Sequence, residues 1–386
     1  MRRSLLAFSL AVLGSALGGA PAMATELVDN DKAQCPSAAH TTIQAGVDAA
    51  SANEQVLVCN GVYREQVTID KDGIDLVSKV TRGATIKSPV TALSGPEALV
   101  HVDGGSNVKV RRFTIAGPGP GTVDSLRQGV LVENNNAAGV KEAQITDNLI
   151  QDIRDTEAAA NEEGVGVRVG RAYANTSGRA SVLRNTIIRY QRGGVVVDGD
   201  GSFAAVATNT ITGLGLLTSP VTPVPAQQGI QVGSGTAYSA SPRLEAAADI
   251  NSNRISLNQY SGGGGEASIG ILVLGTDLAK DPRSARVSRI QSNKVFKNDY
   301  GVYLLDVENH LIRSNRVYEN GDSGTAAPDG GMGAFETSPG AGNNNRFDRN
   351  DARTNDGLDC EDGTSPLNTW TGNRGVDDSP STICAP

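Results

Sequence analysis

Five polar residues carry the types that chemistry on a charged polymer would need: His101, Asp103, Glu133, Arg168 and Asp198. Each lies in or beside a short run of alternating apolar residues, so each is expected to point away from an apolar interior. Arg168 could neutralise the carboxylate of a sugar acid, and Arg168 or His101 could serve as the base of a proton abstraction. Asp103, Glu133 and Asp198 offer the hard oxygens that Ca²⁺ takes in numbers. Gln231, Tyr303 and Phe335, together with Glu133 and Asp198, would hold a substrate alongside. A denser acidic stretch, Asp152, Asp155, Glu162 and Glu163, could join a calcium site, although a solvated loop is the default for such a run. The bland reading of the whole set is a wetted face with scattered charges, which surfaces commonly have.

What would bring these residues together is a repeat. Asn-x-[Ile/Val] recurs at Asn148, Asn185, Asn209, Asn253, Asn293 and Asn315, and more loosely at Asn350 and Asn373, in steps of 37, 24, 44, 40, 22, 35 and 23 residues. Between successive Asn positions falls a Gly-led apolar run, at Gly129, Gly166, Gly194, Gly229, Gly270 and Gly301. The short steps define a unit of 22 to 24 residues, and the longer ones are that unit plus insertions. A unit this small buries no core alone, whereas stacked units share one interior. Asn suits the turns of such a stack because it bonds backbone groups and tolerates left-handed geometry. Leucine-rich repeats need a denser Leu pattern, and a propeller needs a longer, stricter period.

With Val130, Val167, Val195, Ile230, Ile271 and Val302 pointing in, one outward column should run His101, Leu131, Arg168, Val196, Gln231, Leu272, Tyr303, Phe335, Asp359. A second should include Asp103, Glu133 and Asp198. Rungs of a parallel stack lie about 4.8 Å apart, close to one sugar unit. Long insertions at 116–128, 151–163, 212–228, 256–269 and 318–332 should leave one edge and wall this face.

The remaining bulk properties agree. Net charge is −8, which disfavours a nucleic-acid partner, and aromatics make up only 4% while Gly numbers 46. Such a composition suits short strands with Gly at tight corners. Residues 1–24 read as an export signal: Arg2 and Arg3, an apolar run from Leu5 to Leu17 too short to span a bilayer, then Ala22-Met23-Ala24. Export to an oxidising compartment favours disulfides, and Cys35 with Cys59 and Cys360 with Cys384 form local pairs at opposite ends. Each would close a loop worth roughly 3 kcal/mol. Residues 25–60 are expected to be an N-terminal cap with a short helix within Thr41–Ala50, 61–357 the coils, and 358–386 a C-terminal cap with Trp370 as its lid.

The opening Thr42-Ile43-Gln44, Val56-Leu57-Val58 and Gly61-Val62-Tyr63-Arg64-Glu65-Gln66-Val67 resembles that of the right-handed parallel β-helix proteins of the pectate-lyase-like superfamily. These include pectin methylesterases and accessory proteins of nitrous oxide reductase. Asn368-Thr369-Trp370-Thr371-Gly372-Asn373 with Cys384 is similar to the ending of secreted bacterial β-helix proteins. The resemblance covers nearly all of the chain beyond residue 24 and implies an all-β, right-handed parallel β-helix, a single solenoid with a helical N-terminal cap and a disulfide-tied C-terminal cap. It implies Tyr63 packed and Glu65 paired with a turn. It does not bring an activity with it. The catalytic phrases of pectin methylesterases, the Gly-His-Gly and Arg-Ile-Lys elements of polygalacturonases and the Asp-Pro-His-Asp element of alginate epimerases are all missing, whereas lyases leave no contiguous motif.

The expected function is thus a secreted, extracellular and monomeric protein acting on acidic polysaccharide by lyase chemistry, with Arg168 and His101 catalytic. Asp103, Glu133 and Asp198 are the candidate Ca²⁺ ligands, and no membrane span is expected. The alternative is a non-catalytic carbohydrate-binding or cell-surface rod. A copper accessory role is disfavoured by 3 His, 3 Met and 4 Cys.

Overall fold

A computed structural model of the chain describes residues 25–121, 125–135, 139–155, 163–215, 227–233, 246–260, 268–275, 288–321, 329–337 and 342–386. The expected leader and the centres of most long insertions lie outside the described residues. Within them, strands form three sheets of twelve, nine and eleven members, here called A, B and C. The chain visits A, B and C in turn and returns to A one rung on: Lys109–Arg111, Thr114–Ala116, Gln128–Glu133, then Ala143–Thr146. Every rung pairs parallel with the same strand of the next rung, which fits a parallel β-helix.

The interior follows from side-chain alternation. Sheet A contributes Val110, Ile145, Val182, Val206, Ile250 and Ile290 to one inward column, in register and all fully buried. Sheet B contributes Ile115, Ile150, Ile187, Ile211, Ile255 and Val295. Sheet C contributes Val130, Val167, Val195, Ile230, Ile271 and Val302, the inward set read from the sequence. The Gly that leads each C strand has a different reason from the corner role expected of it. A Cβ on Gly194 would stand 2.5 Å from Ile211 and 2.6 Å from the carbonyl oxygen of Gly229. There is no room for one.

The A-to-B corner is a two-residue turn, except at 79–83 between Asp75–Ser78 and Ala84–Lys87. Its first residue is left-handed, with φ of 60° at Asp147, 56° at Arg184, 57° at Thr208 and 57° at Ser252. The second is the repeating Asn, which is not left-handed; the strained position sits one residue earlier than the sequence reading placed it. The Asn has another task. Asn209 Oδ1 accepts from the backbone N of Asn185 at 2.8 Å and from its Nδ2 at 3.1 Å, while Asn209 Nδ2 donates to the Val182 carbonyl at 2.8 Å. The pattern repeats from Asn148 to Asn373, buried throughout. A second ladder, Asn258, Asn298, Asn320 and Asn355, lines the B-to-C corner and is closed by the Tyr190 hydroxyl at one end and Asp359 at the other.

At the N-terminal end, Ile43–Ala49 is a helix with Thr42 as N-cap, and Ile43, Gly46 and Val47 are buried. Both helix ends are held by the next rung. Glu65 accepts from the amides of Ile43 and Gln44 at 2.8 and 2.9 Å, and Lys71 donates to the carbonyls of Val47, Asp48 and Ala50. Tyr63 is buried with its hydroxyl on the Cys59 carbonyl. Thr25–Val28 and Gln55–Val58 are the first two strands of sheet A, so that sheet begins within 25–60. Disulfides join Cys35 to Cys59 and Cys360 to Cys384. Trp370 stacks on Phe347 at 3.8 Å and donates its ring N–H to Asp362 at 2.7 Å.

Asn253→Ala removes the acceptor of the Asn209 backbone N–H and of one Nδ2 hydrogen of Asn209, and the donor to the Val206 carbonyl, leaving those buried groups unpaired at about 1–3 kcal/mol per group. The urea midpoint should fall well below that of the exposed control Asn251→Ala. Equal midpoints for the two variants would show that the ladder contributes nothing.

Candidate functional site

Sheet C is the one bordered by long connections on both sides, since the A-to-B corner takes two residues in most rungs and five at 79–83. The insertions anticipated between B and C strands do all leave one corner. The sequence reading missed a second group, 233–246 and 275–288, at the C-to-A corner.

Register along the outer face of C runs Thr68, His101, Leu131, Arg168, Val196, Gln231, Leu272, Tyr303, Gly333, Glu361. Two assignments need correction. Phe335 pairs with Leu305 and belongs to the next outward column, because Met332 takes the inward place opposite Val302 and sets the strand's phase. Asp359 is buried and accepts from Asn355 and Val376; Glu361 holds its place in the column.

At the N-terminal end of this face, His101, Asp103 and Glu133 come together on adjoining strands. His101 Nε2 lies 2.9 Å from Glu133. Arg171 grips the same carboxylate at 2.7 and 2.8 Å, and the Thr176 hydroxyl adds a bond at 2.5 Å. Burial raises the Glu133 pKa, but the bonds from His101, Arg171 and Thr176 outweigh it and hold the carboxyl at about 2. Arg171 and Thr176 belong to the short connection after Val165–Val169, and the only cue to them was the Gly170-Arg171 step that ends the strand.

Arg168 is not presented to solvent as the sequence suggested. It is 5% exposed and bonds Asp198 at 2.9 Å and Glu163 at 3.3 Å. Burial pushes the Asp198 carboxyl up, opposed chiefly by Arg168. Asp198 is therefore paired with Arg168 and does not join Asp103 and Glu133. Calcium needs several free oxygens. Here Glu133 is engaged by the Arg171 guanidinium, His101 Nε2 and the Thr176 hydroxyl, and Asp103 accepts from Asn134 at 2.7 Å. These carboxylates as placed do not fit a calcium cage. The guanidinium carbons of Arg168 and Arg171 each stand 5.7 Å from the ring centre of half-exposed Tyr173.

Gln231 lies between the two ends of the face, bonded to the Gly233 carbonyl. The C-terminal end is aromatic. Tyr303 and Phe335 stack at 4.4 Å, and the buried Tyr300 meets both edge-on. Glu361 lies 3.4 Å from the Tyr300 hydroxyl. Asp299 heads the same strand. Burial pushes its carboxyl up to about 7 despite bonds from the amides of Ser268 and Tyr260. Periodicity could not flag Tyr300, Asp299 or Glu361, because none falls on the anticipated column.

The fold and face together define a parallel β-helix with a polar–aromatic trough along one sheet. Solved structures with this fold include a mannuronan C-5 epimerase A-module from Azotobacter vinelandii (16% identity, covering 87% of this chain and 89% of that one, TM-score 0.56). XylC, solved with xylose, matches at 11% identity over 92% of this chain and 75% of its own, TM-score 0.54. The Dettilon tailspike protein matches at 16% identity and TM-score 0.53, over 89% of this chain; the chain spans 64% of the tailspike's length. At these identities the likeness is one of fold. No protein-family model matches the sequence, and no curated protein matches it.

Two acid–base consequences have opposite signs. Glu133 is depressed in the fold, so its stabilisation is complete above its ordinary pKa near 4.3 and is lost as pH falls toward about 2. The amount is on the order of 3 kcal/mol. Urea midpoints of Glu133→Gln should fall below wild type at pH 7 and converge with it near pH 2. Asp299 is raised, so its contribution is complete at low pH and is lost as pH rises through about 7. Asp299→Asn should gain on wild type at pH 9 and not at pH 4. A constant gap between wild type and either variant across pH would contradict its assignment.

Proposed function

We propose that this protein is a secreted enzyme that cleaves an acidic polysaccharide by lyase chemistry along the outer face of sheet C. The observation that carries this reading is the His101–Glu133 pair, set on the same face and in line with the Tyr303–Phe335 ledge. Six rungs of about 4.8 Å separate His101 from Tyr303, room for roughly six sugar units. Glu133, held ionised, accepts the proton on His101 Nε2 and leaves Nδ1 as the base. Arg171 beside it supplies positive charge where a uronate carboxylate would gather electron density. Arg168 acts as a positioning residue through Asp198 and Glu163. Tyr303, Phe335 and Gln231 hold sugars further along. The epimerase and xylose-bound relatives favour a carbohydrate ligand.

The rest of the proposal concerns context. The coil is right-handed, the hand that connections between parallel strands take almost without exception. The helix Ile43–Ala49 is its N-terminal lid, with the first rungs of the coil already within 25–60 and the last within 358–386. The two disulfides support an oxidising, extracellular location. Among the described residues no helix is long and apolar enough to cross a membrane. A second reading, a non-catalytic polysaccharide binder, is favoured by one observation: Glu133 and Arg168 are already bonded to charged protein partners.

Incubation with polygalacturonate, alginate and glycosaminoglycans, with and without Ca²⁺, should release unsaturated ends that absorb in the ultraviolet. His101→Gln should lower that rate at least 100-fold, the lower range of general-base contributions. Retention of wild-type protein on a polysaccharide gel with neither absorbance nor loss of viscosity would establish the binder instead.

A further inference from the structure

The outer face of sheet B carries a feature that the trough on C does not use. Arg254, Lys294 and Arg316 pair in register on three consecutive strands, so three exposed cations line up along the coil axis. Two residues further along the same strands, Phe296 and Tyr318 stack at 5.2 Å with ring planes 8° apart. The Arg254 guanidinium lies over Phe296 at 4.1 Å and that of Arg316 over Tyr318 at 4.6 Å. A guanidinium lying on an aromatic face loses rotamer freedom before any ligand arrives, yet its N–H fork stays available at the edge.

Most other exposed arginines among the described residues have a carboxylate partner. Arg184 bonds Asp147, Arg189 bonds Asp152, Arg313 is beside Asp348 and Arg353 bonds Asp351. Arg254, Lys294 and Arg316 have no ion pair within 4 Å among the described residues; Asp351, which follows Arg316 in the column and feels its charge, is bonded to Arg353. The three cations stand on a molecule whose net charge is −8, so general adhesion to polyanions does not explain them. Beyond the stacked rings opens a cleft of about 580 Å³, lined by Lys297, Gln259, Glu319, Asn355 and Asp356. Its polar donors and acceptors suit hydroxyl groups.

We propose that the Arg254–Lys294–Arg316 column is a second binding site, for one linear anionic polysaccharide chain lying along sheet B. The spacing and the charge select the ligand together. Rungs about 4.8 Å apart present one cation per sugar unit, matching a polymer with a carboxylate or sulfate on each residue. The Arg forks bind such groups in a bidentate way and Lys294 binds them as a point charge. The site rests on the reading of the protein as polysaccharide-directed, but on none of the residues of the C-sheet trough. It would keep the protein on its polymer while the trough engages another segment, which raises local substrate concentration.

The test compares Arg254→Gln/Lys294→Gln/Arg316→Gln, the single variant Lys294→Gln and His101→Gln with wild type. The probes are gels containing polygalacturonate, alginate, heparin, neutral arabinoxylan or duplex DNA, each run at several salt concentrations. Urea midpoints check folding. Retention of the triple variant on at least one acidic polysaccharide should weaken 10-fold or more and lose most of its salt dependence, with arabinoxylan unaffected. Lys294→Gln should weaken 2- to 4-fold, and His101→Gln should bind as wild type. Wild-type retention by the triple variant, equal loss on arabinoxylan, or tighter binding to DNA than to every acidic polysaccharide would overturn the site. Absence of turnover with intact, column-dependent retention would overturn only the enzymatic reading.

Discussion

The structure depends on one constraint: a corner of two residues must turn the chain and leave no buried amide unpaired. The A-to-B corner solves both needs with a left-handed residue followed by Asn. The Asn amide satisfies the rung behind it twice and is satisfied by the rung ahead. Because each bond crosses between rungs, the ladder fixes the phase of every coil against its neighbour. The inward columns of Ile and Val fall into register from there, and so do the outward columns that carry charge and aromatic rings. The long insertions leave and re-enter at the two corners that flank sheet C.

Much of this was legible in the sequence because the ladder writes itself as a repeat. Asn148, Asn185, Asn209 and Asn253 announce the corner, and Gly-led runs announce sheet C. The inward residues follow from alternation alone. What periodicity could not give was a phase shift within one strand: Gly330–Phe335 places Met332 inward, so Phe335 slips off the expected column although it still stacks on Tyr303. Nor could it show which charges are spent. His101, Asp103 and Glu133 meet as their positions suggested, but Arg168 turns to Asp198 and Glu163 and is buried there. Partner choice is decided by connections such as Arg171–Thr176, whose path no repeat encodes.

The two charged faces show how local pairing sorts identical side chains into different tasks. On sheet C, arginines are drawn into buried carboxylate networks, where desolvation is offset by fixed partners and the groups become rigid. On sheet B, aromatic rings take the place of carboxylates. They immobilise guanidinium groups without cancelling their charge. The same residue type is thus structural on one side of the coil and available on the other.

The covalent bridges at both termini have a consequence for how the coil can open. In a stack where each rung touches only its neighbours, the outermost rungs have half the contacts and would peel first. Cys35–Cys59 and Cys360–Cys384 tie down both outer rungs, with a helix seated at one end and Trp370 at the other. Opening from either end therefore has to release the cap and the rung it is tied to together, so the smallest unit that can come away is larger than one rung.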